Sequence, residues 1–466
     1  MEQRTCIRDI PLELFLSIFR LSFDINTTSL QRDRCRLCLV CRWWRDIVQD
    51  SACLWTDISA HDSEAYIEKS LIKSAGLPID IHYVSLISRS EQPDLEAYLK
   101  LVLKTLPRCR SISIFVESPF FNDFKELLNR LRKTPAPGLE SLALKGGGFQ
   151  RIEDKINWSP QFPEMTTFPA LRQLEIDGIP CQLAPPGLLV NDFISLNLID
   201  VDNVEAEQLL EALRSSPRLE RLGLGRSPLA CPSQSAVAPI YLPYLMAIHL
   251  IYMPVQVSNF FLTTIHAPNC SELSISSRFP EFPDNVVRES LFTSNTDHFS
   301  PVLQRLMTRG QYKDIGLFCY SAYQSQGIDF NLEFHNDDSS HSLHRGILRL
   351  DFKLHSIEQA EETIQWLASY LDRDVPKIPI RLQLEGLEDV RLLNLIDSQM
   401  AITHLQFLRW LRDSMLVHLG EPSSSGWPLP DLEAFVYRPW DPPESQNETM
   451  LDMLRRRYNP SSKEAD

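Results

Sequence analysis

Between Cys109 and Ile275 one short pattern returns again and again: an apolar residue, two variable residues, an apolar residue, one variable residue and a third apolar residue. It reads Cys109-Ile112-Ile114, Leu139-Leu142-Leu144, Leu171-Leu174-Ile176, Phe193-Leu196-Leu198, Leu219-Leu222-Leu224, Leu245-Ile248-Leu250 and Cys270-Leu273-Ile275. The middle residues are separated by steps of 30, 32, 22, 26, 26 and 25. Alternation of this kind makes a short strand with one buried face. Stretches with helical spacing, such as 120–133 and 204–215, fill the intervals. Pro107, Pro137, Pro169, Pro217, Pro243 and Pro268 stop those intervals just before the next strand, because proline cannot continue a helix. A unit of this size cannot bury its apolar face alone and does so only by stacking on its neighbours. The expectation is an α/β solenoid. After Ile275 the pattern weakens, then returns as Ile347-Leu350-Phe352, an apolar strand at 380–384, Ile402-Leu405-Phe407 and Leu432-Phe435-Tyr437. Helical stretches at 357–371 and 388–398 separate these.

The first sixty residues follow a different logic. In IPLELFLSIFRLS, Leu14, Ile18 and Leu21 make one apolar stripe, and Leu12, Phe15 and Phe19 make a second. Pro11 suits the first helical position, where its missing N–H costs nothing. Read as one helix, the stretch after Arg36 places Leu37, Cys41, Trp44 and Val48 on one face and Leu39 and Trp43 on another. Short helices serving a single core do not need apolar residues on two sides. The excess predicts a small module that docks on another protein.

Ile10-Pro11, Glu13, Ile18, Val40-Cys41-Arg42, Trp44 and Leu54-Trp55, in that order and spacing, resemble an F-box. Two positions depart from the family pattern: Ile10, where leucine is commoner, and Trp43, where the family is usually polar. The resemblance covers about residues 8–58 and implies a three-helix module that binds the small Skp adaptor of cullin–RING ubiquitin ligases. It implies docking residues at Ile10, Pro11, Leu14, Ile18, Val40, Trp43, Trp44, Leu54 and Trp55, some of which must also serve the core.

Helical spacing over 63–75, stopped by Gly76, then an alternating strand over 77–86 and a helix over 94–106, form a connector. That succession is similar to the segment after the F-box in many fungal F-box proteins. The following units resemble degenerate leucine-rich repeats, since Gly147, Ile179 and Val201 stand where the repeat usually has Asn. The resulting division is an F-box over 1–60, a connector over 61–106, a repeat-like solenoid over 107–440 and a polar tail over 441–466, with a short helix at 448–458. In a leucine-rich solenoid the residue between the last two apolar positions faces the concave surface. By that resemblance Glu175, Asn197, His249 and Ser274, with Lys145 and Asp177 two residues on, would line a substrate-reading face.

Composition narrows the partners. The net charge is −15, which argues against nucleic acid or an anionic membrane as the main partner, because both need clustered cations. The N-terminus carries acids and no apolar segment of signal-peptide kind. Residues 236–255 carry no charge, but Pro239, Pro243, Pro254 and His249 fit a buried strand with its turns better than a spanning helix. Ten cysteines with no export signal imply free thiols in a reducing compartment, cytoplasmic, nuclear or both. Cys35, Cys38 and Cys41 have a spacing that invites metal. However, Cys53 lies too far on to complete a ligand set, so they are read as buried helical residues of the F-box.

No enzyme constellation emerges. Gly146-Gly147-Gly148 lacks a following lysine and reads as a turn. The polar run with His335, Asp337, Asp338, His341 and His344 reads as a solvated loop, and no metal or cofactor is expected. The resemblance therefore implies a non-catalytic substrate receptor: the F-box holds the Skp adaptor and through it a cullin, while the repeat region captures a protein substrate. Two alternatives are a scaffold bound to the adaptor outside the ligase, and an enzyme with an unrecognised site within 278–344.

Overall fold

The structure is a computed structural model describing residues 7, 10–23, 30–85, 95–116, 121–146, 161–179, 181–182, 192–201, 204–226, 238–253, 255–278, 314–321, 328–335, 348–354, 363–365, 379–385, 393–394, 396–397, 401–407, 413–422, 426–437 and 444–458. The chain forms two compact units, Met1–Ser233 and Gln234–Asp466.

The first unit opens with helices α1 (Leu12–Leu21), α2 (Leu30–Val40) and α3 (Arg42–Asp50), then a 3-10 turn at Ala52–Trp55. One residue later strand β1 (Asp57–Ser59) begins. There follow α4 (Glu64–Lys73), β2 (Ile79–Ser85), α5 (Leu95–Val102), β3 (Cys109–Val116), α6 (Phe121–Lys133), β4 (Ser141–Gly146), β5 (Gln173–Asp177), β6 (Ser195–Ile199), α7 (Ala206–Arg214) and β7 (Arg221–Gly225). Strands β1 to β7 pair in sequence order, each parallel to the next.

The apolar spacing explains that register. Ile81, Ile112, Leu142, Leu174, Leu196 and Leu222 fall side by side across the strands, and all are buried. Burial of each such side chain contributes about 1.5–3 kcal/mol, so a one-residue slip in register would be heavily penalised. On the return segments, Tyr98, Leu99 and Val102 of α5, Leu127, Leu128 and Leu131 of α6, and Leu209, Leu210 and Leu213 of α7 are buried. Gly178, at φ +67, holds the left-handed turn after β5, where a Cβ would run into the Gly146 carbonyl.

The second unit contains β8 (Ile240–Tyr241), β9 (Ala247–Met253), α8 (Val255–Thr264), β10 (Ile265–His266), β11 (Glu272–Arg278), β12 (Asp314–Ser321), β13 (Ile328–His335), β14 (Leu348–Leu354), β15 (Pro379–Glu385), β16 (Ala401–Phe407), α9 (Asp413–Gly420), β17 (Ala434–Tyr437) and α10 (Glu444–Tyr458). Here β9, β11 and β14 are parallel neighbours, as are β12, β15, β16 and β17. Between these groups β13 pairs antiparallel with both β14 and β12. A short parallel pair, β8 with β10, stands apart.

The expected solenoid over 107–440 is therefore not what the structure contains. Stacked identical units cannot reverse strand direction, and β13 does so, in a stretch where the repeat spacing is absent. What stands is a mixed α/β fold with an N-terminal helical region and a parallel sheet. Within the uncharged segment at 236–255, Ile240–Tyr241 and Ala247–Met253 form β8 and β9 and Val255 opens α8, and among the described residues no helix is long and apolar enough to cross a membrane. The C-terminal helix begins at Glu444, ahead of the expected start. Arg457 from it donates to the carbonyl of Leu419 at the end of α9, left open by the helix, and to those of Pro428 and Leu429 in the segment that follows.

Candidate functional site

Three helices enclose a core of Phe15, Phe19, Phe23, Leu30, Ile47, Val48, Leu54 and Trp55. The rings of Trp43 and Trp44 meet Phe15 edge-on at centroid distances of 5.1 and 5.5 Å, and Trp44 lies 4.8 Å from Phe19. The Trp55 indole donates to the Val48 carbonyl at 2.7 Å. Pro11 stands just before α1 as its cap, one position earlier than expected, and its carbonyl accepts from the Phe15 N–H at 3.1 Å.

The helix expected to run through Cys41 is broken there. Cys41 is extended (φ −162°, ψ 170°), and its Sγ accepts from the Trp44 N–H at 3.4 Å, capping α3. The apolar spacing runs unbroken across this joint, so periodicity could not reveal it. Cys35 and Cys41 are exposed rather than buried, and Cys38 is half-buried.

Burial separates the two stripes of α1. Phe15 and Phe19 enter the core, whereas Leu14 is 56% exposed, Ile18 53% and Leu21 86%. At the end of α2, Leu39 is 79% and Val40 58% exposed, and Leu12 and Ile7 are also exposed. Among the expected docking residues, then, Pro11, Leu14, Ile18 and Val40 are on the surface. Ile10, Trp43 and Trp44 are half-buried against the core, and Leu54 and Trp55 are fully inside it. Leu12, Leu21 and Leu39 extend the exposed set. Leu21 was findable, since it shares a stripe with Leu14 and Ile18.

The helical core is tied directly to the sheet. Arg34 is buried and donates to the Leu54 and Asp57 carbonyls, each at 2.8 Å, while its guanidinium lies 5.1 Å from the Trp55 ring centroid. Arg20 of α1 reaches the carboxylates of Asp57 at 3.6 Å and Asp80 at 3.9 Å, and Arg110 donates to Asp80. His82 Nε2 lies 3.9 Å from Asp57. Burial lowers the pKa of His82, and the Asp57 and Asp80 carboxylates oppose that shift. Nothing in the apolar spacing pointed to these charges; their signal was the polar residue alternating with Ile79, Ile81 and Tyr83.

A second candidate surface is the polar face of the sheet in the first unit. Glu175 and Asn197 are register partners, with Ala143 and Gly223 on either side. Glu175 Oε1 accepts from Lys145 Nζ at 2.9 Å and from Asn197 Nδ2 at 3.1 Å. A Cβ at Gly223 would collide with the Asn197 amide. Burial raises the pKa of Asp177; Arg226 and Lys145 pull it down, while Asp200 and Glu175 push it up. Asp200 itself is buried and paired with Arg226 at 3.1 Å. Lys145, Glu175, Asp177 and Asn197 thus lie together. His249 and Ser274 belong to the second unit, where they are register partners and His249 Nε2 stands 3.3 Å from Glu272. His335 ends β13, and residues 337–344 lie outside the described residues.

The helical module thus combines a closed core with an apolar outer stripe. Residues 7–61 match the F-box-like family model, a small part of the chain that coincides with these three helices and β1. No curated protein and no solved structure matches the chain.

Proposed function

We propose that the chain is a non-enzymatic substrate receptor of an SCF-type cullin–RING ubiquitin ligase, acting in the cytoplasm, the nucleus or both. The observation that carries this reading is the exposed stripe of Leu14, Ile18 and Leu21, with Leu39 and Val40, on a domain that matches an F-box-like model. Five large apolar side chains held in water beside a complete core are an uncompensated cost unless a partner covers them. The partner is the Skp adaptor, with the cullin bound through it.

The substrate is a protein read by the polar sheet face around Lys145, Glu175, Asp177 and Asn197, and catalysis is by proximity. Held on the ligase, substrate lysines experience a raised effective concentration of charged ubiquitin-conjugating enzyme. Co-expression of the full chain with the Skp adaptor, the cullin and its RING subunit tests the reading. Recovery of all four in one complex supports it. Recovery with the adaptor while the cullin is excluded would overturn it in favour of a scaffold outside the ligase.

A further inference from the structure

We propose that Cys38 and Cys41 are an oxidant-sensitive thiol pair that switches the helical docking face. The proposal rests on the adaptor-docking reading above. The two thiols bracket Leu39 and Val40, exposed apolar residues at the end of α2. Residues 39 and 40 are helical, and a three-residue helical step separates Cα atoms by about 5 Å. Disulfides span Cα separations of about 4.4–6.8 Å, so no backbone rearrangement on a larger scale is needed.

Side-chain direction singles out this pair. Cys41 leaves the helix in an extended conformation, so its side chain is not held parallel to that of Cys38. Both sulfurs face α3: Cys41 Sγ accepts from the Trp44 N–H at 3.4 Å and Cys38 Sγ from Gln49 Nε2 at 3.9 Å. Cys35 is one turn before Cys38, but both belong to one uninterrupted helix, in which Cβ vectors run alongside each other. Both thiols are free, with Cys41 exposed and Cys38 half-buried.

That difference sets the order of reaction with a hydroperoxide. The Cys41 sulfur attacks the O–O bond of hydrogen peroxide, becomes a sulfenic acid and releases one water. The Cys38 sulfur then displaces the sulfenic hydroxyl as a second water and the S–S bond forms. Two thiol protons and two electrons have passed to the peroxide, and excess thiol reverses the bond by exchange. The new bond takes Sγ of Cys41 away from the Trp44 N–H, which uncaps α3. It also disturbs Trp44, which packs on Phe15 and Phe19. The reduced chain docks the adaptor and the oxidised chain does not dock it well.

The test exposes the full chain to hydrogen peroxide, blocks remaining thiols with an alkylating agent, and follows two readouts: mass spectrometry of the peptide holding residues 35–42, and capture by the Skp adaptor. The expected result is a Cys38–Cys41 link with capture weakened at least about fivefold, the scale of disturbing one interface contact, and restored by dithiothreitol. Cys35→Ser keeps the switch. Cys41→Ser, whose hydroxyl is a preferred cap, keeps capture and loses peroxide sensitivity. Absence of the link, or a link with unchanged capture, overturns the proposal. Failure of the reduced wild type to capture the adaptor is a separate outcome: it removes the docking reading and the switch with it.

Discussion

Arg34 is the residue on which the junction between helices and sheet depends. It is 1% exposed, and it donates to carbonyls on either side of the joint, Leu54 and Asp57, with the Phe23, Trp55 and Tyr66 rings around its guanidinium. Lysine cannot reproduce that fork. Arg34→Met keeps much of the packing but leaves two buried carbonyls without their donor, so chemical denaturation should show a loss of about 2–4 kcal/mol. A change below about 0.5 kcal/mol would mean that water satisfies those carbonyls. His82 makes a pH-dependent contribution. Its folded pKa lies below the ordinary value because it is buried, so between that lowered value and about 6.5 the unfolded chain binds the proton more readily. Stability is therefore complete above about pH 6.5 and falls as pH drops towards the folded value. Asp57 and Asp80 limit the loss, with Arg20 and Arg110 completing the charges around it. Thermal melts of His82→Gln should show a shallower acid-side decline than wild type; parallel curves would refute the assignment. Asp80 and His82 showed in the chain only as polar residues alternating with Ile79, Ile81 and Tyr83; their buried partners did not, because those depend on which strands meet, and apolar spacing carries no information on that.

At the scale of elements, α1 buries one apolar stripe and exposes another. Its two stripes were readable, as was the surplus they represent. Which stripe is buried was not, because both are large and apolar and the choice is made by Trp43 and Trp44 of α3, whose rings close on Phe15. Phe19→Ala should lose about 3–5 kcal/mol by leaving a cavity beside Trp44. Leu14→Ala with Ile18→Ala should stay within about 1 kcal/mol of wild type, since both side chains are already in water. Calorimetry of the two variants decides, and equal losses would contradict the division of the helix. The break at Cys41 escaped sequence reading for a related reason. A cysteine that caps a helix and a cysteine inside one occupy the same place in an apolar period, and only the extended backbone distinguishes them.

At the scale of the molecule, the strands of the first unit follow the apolar spacing closely. Leu142, Leu144, Leu174, Ile176, Leu196 and Leu198 are all buried where the recurring pattern placed them. The second unit departs because β13 does not carry the repeat spacing. Ile328-Asp329-Phe330-Asn331-Leu332-Glu333-Phe334 alternates with period two, the mark of a strand, but lacks the leucine spacing of a repeat. Its antiparallel register sets Glu333 opposite Arg349 and Asp329 opposite Lys353, a pairing that is defined only once the partner strand is known. In the first unit, β1 starts one residue after the turn that closes the helical core, and Arg20 links α1 to β1 and β2. The exposed apolar stripe of α1 and the polar face around Glu175 therefore belong to one folded unit.

The most direct test of this account is the affinity of the full chain for the purified Skp adaptor, measured by calorimetric titration for wild type beside Leu14→Ala with Ile18→Ala. The account predicts a one-to-one complex for wild type and at least about a hundredfold loss for the variant, the effect of losing two interface anchors at an unchanged melting temperature. A wild type that does not bind, or a variant that binds as well as wild type, would contradict it.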